Sequence, residues 1–207
     1  MNTLDKKTWA RREIYDMFSK IDYPFYSVTI PINVTNIKKI SKNKGVSFYF
    51  LMIWACTKAV NSVPEFRYRI RGDEIIILDQ VNPSFTYMPN NSETFQIITL
   101  EWEEKYEMFC FNAKEQSKKQ IHFMNMEKET DALIYFSCTP WFDFTSLTNE
   151  HSFNKDDTIP RLTWGKYYEK DSQLWVHLSV EVNHRTIDGI HIGKLKNAID
   201  YEINTLG

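Results

Sequence analysis

Apolar and polar residues alternate along residues 174–182, close to the end of the chain. The apolar positions share one parity, and a period of two predicts a β-strand with one buried face. His184 has the parity of the apolar residues, so its imidazole is predicted to point to the buried side and Asn183 to point away. A histidine therefore stands at the inner end of a strand.

The alternation stops after His184 and a helical pattern follows. Asp188-Gly189 is a turn signal, because glycine tolerates positive φ. Beyond it, four apolar residues recur at intervals of three and four, which predicts an amphipathic helix; they are Ile192, Leu195, Ile199 and Ile203. A buried histidine is more often structural than functional, so this pattern alone does not assign a role to His184.

The same period counting predicts the elements that precede this strand. Trp9, Ile14, Met17 and Phe18 mark one side of a first helix. Short β segments and helices then alternate, which is typical of an α/β fold. The predictions are helices at 6–20, 35–41, 46–63 and within 101–120, a loop-like stretch at 114–122, and strands at 25–34, 67–71, 74–78 and within 79–100.

Composition narrows the class of protein. The chain has 207 residues, 43% of them hydrophobic, which predicts a single domain over residues 1–207. The net charge of −2 gives no reason to expect a nucleic-acid partner. Met1 to Lys7 lack the apolar core of a signal peptide, and the apolar run at 48–56 is too short to span a membrane. We therefore expect a cytoplasmic protein without a membrane partner.

Cysteine usage gives no sign of a metal or disulfide framework. Cys56, Cys110 and Cys138 are an odd number and do not have metal-ligand spacing. Apolar neighbours around Cys56 and Cys138 favour structural thiols. The sequence thus predicts no metal and no cysteine nucleophile.

Three stretches carry distinctive motifs: His184-x-x-x-Asp188-Gly189, Ser137 to Ser146, and 160–168. All three resemble motifs of the chloramphenicol acetyltransferase family, and the histidine motif also occurs in the acyltransferase cores of 2-oxo acid dehydrogenase complexes. The stretch from Ser137 to Ser146 resembles the family's Ser-x-x-Pro-Trp-x-x-Phe-x-Ser, and 160–168 resembles its Phe-Thr-Met-Gly-Lys-Tyr-Tyr strand. Shorter matches are Trp9-Ala10-Arg11-Arg12-Glu13, Pro64-Glu65-Phe66-Arg67 and Ser92-Glu93-Thr94-Phe95.

The resemblance spans almost the whole chain and implies a fold and an assembly. The fold is a two-layer α/β sandwich around a largely antiparallel mixed sheet. The assembly is a homotrimer with each active site between two subunits.

The resemblance also implies catalytic roles. His184 is the general base, Ser137 donates a hydrogen bond to the oxyanion, and Thr163 holds a water beside the transition state. Arg11 pairs with Asp188 and so fixes the loop that carries His184. Spacing alone leaves open a second reading, in which the Asp188 carboxylate orients the His184 ring directly.

Binding roles follow from the same resemblance. Trp141, Lys166 and Tyr167 are expected to contact acetyl-CoA, the co-substrate. Phe95 and Phe18 are expected to line the acceptor pocket.

The chain departs from the family at three positions. Asn183 stands where drug-acetylating members have a first histidine next to the catalytic one. Asn149 and His151 stand where apolar residues are expected to pack on chloramphenicol. Polar groups there would weaken an apolar acceptor by about 1–3 kcal/mol each.

We expect an acetyl-CoA-dependent O-acetyltransferase that inactivates chloramphenicol, an antibiotic-resistance activity. One alternative is an acyltransferase of the same fold with a different hydroxyl acceptor. Another is a non-catalytic homologue that binds a small ligand. A dehydrogenase-complex core is disfavoured, because we expect no lipoyl-type domain before the fold.

Overall fold

A computed structural model describes residues 1–206 and contains two sheets. The main sheet has the strand order β2-β10-β8-β7-β5-β6, with β9 paired to β10. Its pairs are antiparallel except β5–β7 and β7–β8, which are parallel. The strands are β2 Phe25–Asn33, β5 Asn82–Tyr87, β6 Gln96–Thr99, β7 Leu133–Thr139, β8 Arg161–Gly165, β9 Tyr168–Lys170 and β10 Gln173–Asn183.

The smaller sheet has the order β1-β4-β3 and is built around a hairpin. Gly72 adopts φ +59 in the turn, a left-handed conformation that favours glycine. This confirms the predicted pair of short β segments. The strands are β1 Asn2–Thr3, β3 Tyr68–Arg71 and β4 Glu74–Ile77.

Helices cover the apolar face of the main sheet. Leu178 and Val180 of β10, Leu162 of β8 and Phe136 of β7 belong to one continuous hydrophobic core. The helix at Phe48–Ser62 is apolar on nearly every side, as expected for a helix that the sheet and the other helices surround. The predicted two-layer α/β sandwich is confirmed. The helices are α1 Arg12–Phe18, α2 Thr35–Lys44, α3 Phe48–Ser62, α4 Tyr106–Lys119 and α5 Gly189–Thr205.

The opposite face of the sheet carries polar side chains. Ser179 and Glu181 of β10 lie on it, and the segment 147–157 covers them. The Ser179 hydroxyl donates to the Leu147 carbonyl at 2.8 Å. The expectation of one buried face is therefore wrong for this part of β10, because every residue from Leu178 to Asn183 is buried.

Two predicted helix boundaries are also wrong. α1 begins at Arg12, and Ile14 and Met17 remain 39% and 51% exposed because the helix packs through Tyr15 instead. α4 continues to Lys119, into the stretch at 114–122 expected to be loop-like. Ala113 and Ser117 extend its buried side, so packing holds residues together that the polar sequence alone does not.

No helix within residues 1–206 has both the length and the hydropathy that a membrane span requires.

Candidate active site

His184 follows directly on β10, at the rim of the sandwich. Its backbone N–H donates to the Pro24 carbonyl at 2.7 Å. The imidazole stacks on Phe18 with 4.0 Å between ring centroids and lies 4.4 Å from the Tyr26 ring. Tyr26 is the strand partner of Val182, so the imidazole lies on the apolar side that the alternation indicates. Its side chain is 31% exposed, which leaves one edge open to a substrate.

The surroundings of His184 favour the neutral imidazole. Burial lowers its pKa below the ordinary value, and the nearby Arg11 charge lowers it further, against an opposing effect of the backbone at His184 and Ile187. A neutral ring can accept a proton at neutral pH.

Arg11 and Asp188 form an ion pair beside this ring. The Arg11 Nη1 contacts Asp188 Oδ2, and the two side chains are 11% and 26% exposed. Arg11 Nη2 also donates to the carbonyls of His184 and Arg185, at 3.2 and 3.4 Å. The guanidinium thus ties the start of α1 to the loop that carries His184.

Asp188 touches His184 as well. Its Oδ1 lies 3.1 Å from His184 Nδ1, but Nδ1 makes no hydrogen bond within residues 1–206. Asp188 is the N-cap of α5, and its backbone N–H donates to His191 Nδ1 at 2.8 Å. The carboxylate therefore lies at the positive end of a helix between a guanidinium and an imidazole.

Asn183 anchors the loop that carries His184. Its Nδ2 donates to the carbonyls of Lys155 and Asp157, each at 2.8 Å, and its Oδ1 accepts from the Arg185 N–H at 3.0 Å. Asn183 points away from the His184 side, as expected, but it is buried and fully bonded. The departure from two adjacent histidines is thus accommodated by hydrogen bonds that the sequence did not indicate.

Sequence reasoning also missed Arg185. Its guanidinium donates to Ser19 Oγ, Tyr15 Oη and Asp156 Oδ1, at 3.0, 2.8 and 2.5 Å. The side chain is buried, and it joins α1 to the segment 147–157 behind His184. An arginine next to a candidate base was the available signal, but its partners are distant in sequence.

Ser137 and Thr163 form a second group on the polar face of the sheet. They are paired residues of β7 and β8, and Ser137 Oγ lies 3.4 Å from Thr86 Oγ1. Thr163 pairs with Ser179 of β10, five residues before His184. Five strand residues span about 17 Å. One chain therefore brings Arg11, Asp188, Phe18 and His184 together, but not Ser137 and Thr163 with them.

Asn149 and His151 are bonded to Glu181 rather than free in a pocket. His151 Nε2 contacts Glu181 Oε1, and its side chain is only 1% exposed. Asn149 Nδ2 donates to Glu181 Oε2 at 3.2 Å, and its Oδ1 accepts from Thr163 Oγ1 at 3.0 Å. The expectation that both side chains line the acceptor pocket is corrected for His151, because Glu181 and Phe25 enclose it.

The residues expected to contact acetyl-CoA are on the surface. Trp141 and Tyr167 are 63% and 39% exposed, and Lys166 is exposed. Lys38 Nζ lies 4.7 Å from the Tyr167 ring, so two lysines accompany these aromatics. Such a surface can receive a nucleotide carrying phosphates.

Phe18 and Phe95, the expected acceptor contacts, lie apart. Phe18 stacks on His184, whereas Phe95 is 45% exposed and packs edge-on against Phe123 at 5.6 Å. Only Phe18 is next to the candidate base within one chain.

Comparisons with known proteins agree with this architecture. A chloramphenicol acetyltransferase from Clostridium perfringens is 30% identical over 206 residues, covering 98% of both chains. Chloramphenicol acetyltransferase 3 from Escherichia coli is 28% identical over 97% of this chain and 96% of its own.

Solved structures show the same fold. A chloramphenicol acetyltransferase superposes with a TM-score of 0.90 at 22% identity, covering 98% of this chain and 99% of its own. A probable dihydrolipoamide acetyltransferase from Listeria monocytogenes superposes at 0.69 with 15% identity, covering 100% and 95%. The family model for chloramphenicol acetyltransferase matches residues 1–200. With that match and these relatives, the chain belongs to the chloramphenicol acetyltransferase family.

Proposed function

We propose that the protein transfers the acetyl group of acetyl-CoA to a hydroxyl of chloramphenicol. The observation that carries this proposal is His184, a partly exposed imidazole with a lowered pKa that packs against Phe18 and Tyr26 beside the Arg11–Asp188 pair.

In the proposed reaction, neutral His184 takes the proton of the acceptor hydroxyl as the oxygen attacks the thioester carbonyl. The carbonyl oxygen becomes an oxyanion, and the Ser137 hydroxyl donates a hydrogen bond to it. When the carbon–sulfur bond breaks, the His184 imidazolium returns the proton to the coenzyme A thiolate. Trp141, Lys166 and Tyr167 would hold the coenzyme.

We further propose that the active form is a homotrimer with sites between subunits. The separation of about 17 Å along β10 between the level of Thr163 and His184 supports it. His184 of one subunit would then face Ser137 and Thr163 of the next. The whole chain would act as one acyltransferase domain, in the cytoplasm where acetyl-CoA is available, and would confer chloramphenicol resistance.

The test is thiol release from acetyl-CoA with and without chloramphenicol. We expect release that depends on the drug, with an acetylated product. Turnover of a different alcohol with little release in the presence of chloramphenicol would favour the alternative acceptor. Ligand binding without thioester consumption would favour the non-catalytic alternative.

The pH dependence of kcat/KM should report the protonation of the His184 imidazole. The base is inactivated when it binds a proton, so kcat/KM should fall as the pH decreases through the His184 pKa. Because burial and Arg11 lower that pKa, the acidic limb should lie below the ordinary histidine value of about 6.5. A limb above this value in initial-rate measurements would contradict the assignment.

A further inference from the structure

A buried carboxylate lies behind Thr163 on the polar face of the sheet. The Glu181 side chain is 2% exposed, and all its partners come from the segment that covers this face. Its Oε2 accepts from the backbone N–H and the Nδ2 of Asn149, at 2.6 and 3.2 Å. Its Oε1 contacts His151 Nε2.

Glu181 is ionised in this setting. Burial would raise its pKa, but the hydrogen bonds from His151 and Asn149 outweigh burial and lower it. For His151, a base, burial has the opposite effect and would lower the pKa, yet its contacts with Asp157 and Glu181 raise it. An ionised carboxylate only accepts hydrogen bonds.

That restriction determines the direction of every hydrogen bond up to Thr163. Asn149 must turn its NH₂ group toward Glu181, so its carbonyl Oδ1 faces Thr163. A carbonyl oxygen only accepts, and the Thr163 hydroxyl must therefore donate to it, at 3.0 Å. The single proton of this hydroxyl is then occupied, and only its lone pairs remain for another partner.

We propose that Glu181 is a positioning residue that acts through Asn149 and makes Thr163 an obligatory hydrogen-bond acceptor at the reaction centre. The group that Thr163 receives must then be a donor, such as a water or the acceptor's hydroxyl, next to Ser137 in the adjacent strand. This inference rests on the proposed function. It assigns the polarity of one subsite to a buried residue that does not touch the substrate.

The decisive variant is Glu181→Ala. Without the carboxylate, water can take its place and can either donate to or accept from the Asn149 side chain, so the fixed direction of the hydrogen bonds is lost. We expect kcat to fall about tenfold, the order of one hydrogen bond, with the KM for acetyl-CoA within about twofold of wild type. Glu150→Ala, which removes an exposed carboxylate next to Asn149 in the chain, is the matched control and should leave kcat unchanged.

Thr163 variants test whether Glu181 acts through the Thr163 hydroxyl or only supports the surrounding fold. Thr163→Ser keeps the hydroxyl, so adding Glu181→Ala should again lower kcat about tenfold. Thr163→Val lacks it, so adding Glu181→Ala should change kcat by less than about twofold. Equal losses in the Thr163→Ser and Thr163→Val backgrounds, or an unchanged kcat in Glu181→Ala alone, would overturn the proposal.

A measurement on the wild-type protein covers the case in which Glu181→Ala does not fold. Side-chain amide exchange followed by NMR should show Asn149 Nδ2 protons protected relative to those of exposed Asn91. Free exchange would overturn the proposal. Because this experiment needs no substrate, it is decided separately from chloramphenicol turnover, which tests the proposed function.

Discussion

His184→Ala is expected to lower kcat by about 100- to 10,000-fold, because general base catalysis contributes about that much. The side chain is partly exposed, and its contacts with Phe18 and Tyr26 are its main packing. The fold and substrate binding should therefore persist, with the KM for acetyl-CoA close to wild type. Steady-state rates of thiol release, with a thermal melt of the same sample, measure both effects.

The matched control for this variant is His122→Ala. His122 is exposed, and its imidazole has no role in the proposed site. Its loss should leave kcat unchanged, which separates the specific effect of His184 from that of removing an imidazole. Full activity in His184→Ala would disprove the catalytic assignment.

Arg11→Ala and Asp188→Asn are expected to lower stability and activity together. Each leaves one charge of a shielded pair uncompensated, and breaking a buried pair costs about 3–5 kcal/mol. The pair here is partly exposed, so we expect the lower end, a fall in Tm of roughly 6–12 °C. Arg11→Ala should cost more, because Arg11 also donates to the carbonyls of His184 and Arg185.

Thermal melts of the single and double variants at one protein concentration test this pair. The double variant should be less destabilised than the sum of the single variants, because both remove the same interaction. Arg12→Ala is the control on the same helix: its contact with Asp16 at 3.8 Å is exposed, so its loss should cost no more than about 1 kcal/mol. Additive destabilisation would show that the Arg11–Asp188 contact carries no coupling.

The Asp188 carboxylate contacts both Arg11 and His184, so its charge should affect the rate through both neighbours. The carboxylate contacts Arg11 through one oxygen and lies beside the His184 ring with the other, so the two readings left open by spacing describe one geometry. Asp188→Asn retains an N-cap side chain for α5, and its effect isolates the charge. Activity should fall even where the variant remains folded.

Local sequence determined the strand that leads to His184, the side to which His184 points, and the helix that begins at Gly189, because periods of two and 3.6 residues record which face is buried. Local sequence did not predict that α1 begins only at Arg12, or that α4 continues past Lys114. Helix ends depend on packing against distant elements, and a short segment carries little of that information.

Tertiary structure alone decided the partners of the polar residues. Asn183 bonds the carbonyls of Lys155 and Asp157, and His151 lies against Glu181, pairs separated by more than 25 residues. A polar side chain in a sequence predicts only that it needs partners when buried. Which partner it finds, and whether it then faces a substrate or the protein interior, is set by the segment that folds over the sheet.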